Sequence, residues 1–145
     1  NLASRTLAMI SRYRDGVVPE AGPDPLLLAD FEGITDRVSA LLDDAQIGQA
    51  LEEIWVLVRR LNRYVEEAQP WVLAKDEADA ERLDQVLYSL AEGLRVLTLL
   101  LHPYLPASTD ILLEALAEPD QGLAPFGSRP GGVKVEKIDP LFPKL

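Results

Sequence analysis

Residues 45–68, AQIGQALEEIWVLVRRLNRYVEEA, carry the strongest periodicity in the chain: Ile47, Leu51, Ile54, Trp55, Val58, Leu61 and Val65 recur at helical spacing. Such a stripe predicts a helix with one buried face. Pro70 ends it, because the residue before a proline is pushed out of the helical region. The same period recurs on both sides of this stretch. Leu2, Thr6, Met9, Ile10 and Tyr13 predict a helix over 1–14, closed by Asp15-Gly16. Asp24 caps a second helix with Pro25 at its first position. Its stripe is Leu27, Phe31, Ile34, Val38 and Leu41, with Gly33 as a weak point. Leu83, Leu87, Leu90, Leu94, Leu97 and Leu101 mark a fourth helix over 78–101, and Ile111, Leu112 and Leu116 a fifth over 106–117.

Nothing alternates with period two over a useful length; Val133-Lys134-Val135 comes nearest. The expectation is an all-α fold, an antiparallel bundle of about five helices joined by short links. It occupies residues 1–117. Residues 118–145 hold five of the eleven prolines and four of the nine glycines, which predicts an extended C-terminal tail. Little burial is expected across 119–135 to offset the cost of ordering such chain. The apolar end around Leu141 and Phe142 is suited to docking.

The chain has 145 residues, 48% hydrophobic and 26% charged, an ordinary globular mixture that excludes wholesale disorder. No apolar run reaches the ~18–20 residues that cross a bilayer, so no membrane role is expected. The absence of cysteine excludes disulfides, thiolate zinc ligation and a thiol nucleophile, and a single His102 excludes a histidine-rich metal site. The chain opens at Asn1 without a basic or apolar leader, so a piece of a longer protein without a signal peptide is expected.

The net charge of −10 argues against nucleic acid when taken alone. The distribution qualifies that. Arg5, Arg12 and Arg14 stand without an acid in residues 1–14, and Arg59, Arg60 and Arg63 form a second basic island within 54–65. Asn1, Arg5 and Arg12 fall within about 40° of one another on the first helix, away from its apolar face.

The search for catalysis returns little. The adjacent acids Glu52-Glu53 and Glu66-Glu67 point about 100° apart on a helix and read as solvated surface. There is no phosphate-cradling glycine loop, and Ser4, Ser11 and Ser89 lack a nucleophile elbow. His102, beside Pro103 at a helix end, reads as a cap. Trp55 lies in the periodic stripe and reads as core. Trp71 follows a proline in a short connector outside any stripe. It suits either a lid on the bundle or a platform on which an unpaired base stacks, with Asn1 and Arg5 as donors to the base edge.

Four fragments occur in order: Asn1-Leu2-Ala3-Ser4-Arg5, Asn62 to Lys75 (NRYVEEAQPWVLAK), Leu101-His102-Pro103-Tyr104-Leu105-Pro106, and Pro140-Leu141-Phe142-Pro143. Together they resemble the C-terminal anticodon-binding domain of bacterial methionyl-tRNA synthetase, least well over 15–46 and 118–135. The resemblance implies that Asn1, Arg5 and Trp71 read the CAU anticodon, chiefly its first base. Arg12 joins them only through the helical-face argument. It further implies as partners initiator and elongator methionine tRNA, and the catalytic domain of the same protein, reached through the tail; no DNA is expected. No cofactor is expected here, since ATP and methionine would bind the catalytic domain, which lies upstream with its signatures. The cytoplasm is the implied location. Two alternatives stay open: the bundle of another class I synthetase (isoleucine, valine, leucine or cysteine), and a helical protein–protein interaction domain.

Overall fold

The computed structural model describes residues 2–102, 104, 106–116, 126, 134 and 135. The described residues form helices α1 (Leu2–Arg14), α2 (Pro25–Phe31), α3 (Ile34–Asp43), α4 (Ile47–Ala68), α5 (Pro70–Leu73), α6 (Ala80–Leu101) and α7 (Pro106–Ala115). A 3-10 turn at Glu77–Asp79 leads into α6. The five expected helices are all present, in an all-α arrangement. The second is broken in two, because Gly33 takes φ +72° and cannot continue a right-handed helix. The Trp71 connector is itself one helical turn, α5.

Helix α6 is the axis of the molecule. Every residue from Val86 to Leu100 is buried, whereas its leucine spacing predicts one apolar stripe. A helix buried all round is a central helix, and α1, α2, α4, α5 and α7 all pack on it. Two apolar clusters flank it. One joins Leu27, Phe31, Ile54, Leu61 and Val65 to Val86, Leu90 and Leu97. The other joins Leu7 and Ile10 to Leu87, Leu94, Leu112 and Leu116. Helices α4 and α6 approach closely at Gly93, where a Cβ would stand 2.8 Å from Leu61 Cδ1.

The polar groups of this central helix are satisfied within the fold. Arg95 Nε and Glu92 Oε2 pair at 2.6 Å, both buried. Tyr88 Oη donates to Glu92 at 3.4 Å. Burial and the neighbouring Glu92 carboxylate push the Tyr88 phenol up to about 12. Ser89 Oγ accepts from the Asp24 backbone N–H at 2.8 Å.

Asp24 is a junction as well as a cap. One carboxylate oxygen accepts from Leu26 N at 3.0 Å, as an N-cap should. The other accepts from Tyr64 Oη and from Arg82 Nη1, each at 2.8 Å. The side chain is 4% exposed. Burial alone would raise its pKa, but the bonds from Arg82, Leu26 and Tyr64, with the Arg82 charge, bring it below the ordinary value. Burial and the Asp24 bond push the Tyr64 phenol upward.

The buried face of α4 is Ala50, Ile54, Leu57, Leu61, Tyr64 and Val65. Trp55 and Ile47, expected in the core, are 40% and 54% exposed. The stripe is rotated because α3 and α6 meet α4 on the side that carries Tyr64 to Asp24, which turns Trp55 outward.

The expectation of a poorly anchored tail fails at the described residues beyond 117. Phe126 is buried and stacks on Phe31 with ring centroids 4.7 Å apart. Val135 is buried, and its N–H donates to Gly16 O at 2.7 Å, beside an antiparallel bridge of Val17 with Lys134. Leu141 and Phe142 lie outside the described residues.

Two predictions follow from these contacts. Gly93→Ala should destabilise the chain by roughly 1–3 kcal/mol through overpacking against Leu61. Gly48→Ala, where a Cβ meets nothing within 4 Å, should instead stabilise it by about 0.4–1 kcal/mol. Urea midpoints measured side by side test the pair. Asp24→Asn should cost roughly 1–3 kcal/mol at neutral pH. Because the folded pKa of Asp24 is lowered, its contribution is full above the ordinary value of 3.8 and is lost as pH falls through the folded value. The stabilities of wild type and Asp24→Asn should therefore converge below that range in acid titrations.

Candidate nucleic-acid interface

The first basic helix and the proline-tryptophan turn meet at one end of the bundle. Helix α4 stops at Gln69, whose φ of 49° and ψ of 63° reverse the chain. Pro70 then starts α5 with its φ already fixed. This left-handed residue before a proline carries Trp71 back over the end of α4. The indole is half-buried, packed on the cluster that holds Tyr64 and Val65.

Arg5 arrives from α1. Its Cζ lies 6.0 Å from the centroid of the Trp71 ring, at the outer limit of a cation–π contact. Its Nη2 is 3.3 Å from Glu66 Oε1, with side chains 43% and 63% exposed. Arg5 and Trp71, 66 positions apart in sequence, thus share one small patch with Glu66 beside them. Glu66 was read from sequence as solvated surface. Only the return of α1 to the end of α4 gives it a role, and no one-dimensional signal marks that.

Arg12 is exposed two turns further along α1, about 10 Å away. Its guanidinium lies 5.8 Å from the Tyr13 ring centroid. No contact among the described residues joins Arg12 to Arg5 or Trp71. Asn1 lies outside the described residues.

The second basic island is spoken for. Arg60 pairs with Asp30 at 2.7 Å, Arg59 with Glu52 at 3.0 Å and Arg63 with Glu67 at 3.3 Å. In the first island Arg14 pairs with Asp84 at 2.6 Å. His102 Nδ1 lies 2.8 Å from Thr109 Oγ1, tying the end of α6 to α7. Among the described residues no group of three or more metal-ligating side chains converges, and no helix is long and apolar enough to cross a membrane.

One end of the helical bundle thus presents an indole with a guanidinium beside it. Comparison with known proteins gives the bundle a family. Residues 18–140 match the family model of the anticodon binding domain of methionyl tRNA ligase. The methionine–tRNA ligase of Caldanaerobacter subterraneus subsp. tengcongensis is 38% identical over the whole chain. That of Deinococcus radiodurans is 40% identical over 99% of it. The chain spans 24% and 22% of the length of these two relatives. Among solved structures, Mycobacterium tuberculosis methionyl-tRNA synthetase in complex with methionyl-adenylate superposes with a TM-score of 0.85. It is 34% identical across 99% of this chain, which covers 30% of that one. The chain belongs to the family of anticodon-binding domains of methionyl-tRNA ligase.

Because Arg5 is half-exposed and its ion pair lies in solvent, Arg5→Ala should change folding stability by less than about 1 kcal/mol. A urea midpoint near that of wild type would confirm that the residue can be removed for binding tests without loss of the fold.

Proposed function

We infer that this chain reads the CAU anticodon of initiator and elongator methionine tRNA, as part of a methionine–tRNA ligase whose catalytic part binds ATP and methionine. The observation that supports this best is the convergence of Arg5 and the half-buried Trp71, with the guanidinium 6.0 Å from the indole centroid. A base stacked on Trp71 gains roughly 1–3 kcal/mol and is tolerated whatever its identity. Identity then comes from hydrogen bonds to its edge, and Arg5 can lie alongside a stacked base to donate them. Asn1, four positions before Arg5 in the sequence, adds amide donors. Arg12, further along the same face, meets the phosphate backbone. The ligase reaction itself belongs to the catalytic part. The cytoplasm is the compartment in which these partners meet.

Aminoacylation of tRNA with CAU against a changed first anticodon base, by the ligase that carries this chain, tests the reading. Trp71→Ala should cost roughly 1–3 kcal/mol of transition-state stabilisation with CAU tRNA through lost stacking. Arg5→Ala should cost a similar amount through lost edge contacts. The double variant should lose less than the sum, because both groups hold one base. Methionine activation should be unchanged. Unchanged aminoacylation of CAU tRNA by Trp71→Ala would reduce Trp71 to a lid on the bundle.

A further inference from the structure

We propose that Gln69 selects the second anticodon base, holding adenine by its N6 amine and N7 while Arg5 and Trp71 hold the base before it. This rests on the reading of Arg5 and Trp71 as an anticodon site and extends that site to a second base. The Arg5 guanidinium lies 3.3 Å from Glu66 Oε1 and 6.0 Å from the Trp71 ring centroid, and Gln69 stands between those two residues in sequence. Two peptide units separate Gln69 from Trp71, at most about 7.6 Å between Cα atoms. Adjacent bases of one strand are about 3.4 Å apart when stacked and further apart when splayed out in a loop. The neighbour of a base on Trp71 is therefore within reach of Gln69.

The backbone of Gln69 is pinned on both sides. Its N–H donates to Val65 O at 3.0 Å, and its carbonyl accepts from Val72 N at 2.9 Å. Its φ of 49° is a left-handed value that disfavours a side chain, and glycine or asparagine is usual there. The turn alone thus gives no reason for a glutamine. The residue is exposed, and its side chain makes no hydrogen bond with any described residue. It is a carboxamide on a pinned turn, with an acceptor oxygen and an NH₂ donor to offer. Adenine carries the matching pair on its N6/N7 edge: the amine donates to Oε1 while N7 accepts from Nε2. Guanine presents two acceptors there, O6 and N7, so Oε1 would face O6. Pyrimidines have no N7. Selection through the carboxamide thus combines an attraction for adenine with a repulsion of guanine.

The test is binding of labelled anticodon-arm hairpins to the 145-residue chain. The first and third anticodon bases stay cytosine and uracil. The second is adenine, purine (adenine without its amine) or 7-deazaadenine (adenine without N7). Wild type should bind the adenine hairpin about tenfold more tightly than either analogue. Gln69→Gly suits the positive φ, so its urea midpoint should not fall below that of wild type, yet it should bind all three hairpins equally. Gln69→Glu can still accept from the N6 amine but sets a carboxylate against N7. It should therefore bind 7-deazaadenine at least as tightly as adenine, and purine more weakly than both. A glutamine that only shapes the turn would predict one common change for all three hairpins in Gln69→Gly, with the adenine preference kept; that result overturns the proposal, as does a wild type that binds all three alike. If Arg5→Ala and Trp71→Ala weaken binding while the adenine preference survives Gln69→Gly, the anticodon reading stands and the role of Gln69 falls. If neither Arg5→Ala nor Trp71→Ala changes the binding of any hairpin, the anticodon reading itself fails and takes Gln69 with it.

Discussion

A 22-residue helix with fifteen consecutive buried positions must be covered on every side, and α6 imposes that requirement on the whole chain. Five helices supply most of the cover. Docking of Phe126 and Val135 supplies more, on opposite clusters. The polar residues within α6 then need partners inside the protein, since an unpaired buried group costs about 1–3 kcal/mol. Glu92 and Arg95 answer each other, and Ser89 reaches Asp24. Asp24 in turn fixes the start of α2 and grips Tyr64 of α4 and Arg82 of α6. The end of α4, where Glu66 and the turn to Trp71 lie, is held in place by the same carboxylate that caps α2.

The helices were legible because each carries local signals: Asp24-Pro25 at a start, Asp15-Gly16 at an end, Pro70 as a stop. Burial was less legible. A stripe on α4 shows that a face is buried, but the phase of that face depends on where the neighbours sit, and Tyr64 on Asp24 rotates it away from Trp55. Residues 86–100 hold serine, glutamate, arginine and threonine among leucines, so composition suggests a polar face where there is none. Gly33 was a visible weak point, and only its positive φ makes it a break. Proline and glycine in the tail argued for little burial, yet one aromatic ring and one valine anchor it where they meet complementary clusters.

Within the candidate site, Arg5 and Trp71 were legible for different reasons. Arg5 lies off the apolar face of its helix, and Trp71 lies outside any stripe. Their proximity is a tertiary fact, created by the left-handed Gln69 and by α1 returning beside the end of α4. Glu66 was unreadable in advance because adjacent glutamates on a helix look alike; the structure separates them by partner. Family membership is in keeping with this reading, since the matching family is that of anticodon binding domains.

The ion pairs that silence Arg14, Arg59, Arg60 and Arg63 have a consequence for encounter kinetics. A surface of net charge −10 whose cations are mostly pinned to acids projects no attractive field toward a polyanion. Long-range steering can raise association rates by roughly 10–1000-fold where such a field exists. Here approach of a phosphate chain would be slowed, and adding salt would screen the repulsion rather than an attraction. Residence at the Trp71 patch would then be governed by short-range fit alone. Random RNA would find little beyond the stacking surface to hold it, and a complex would persist longest once the right base had settled.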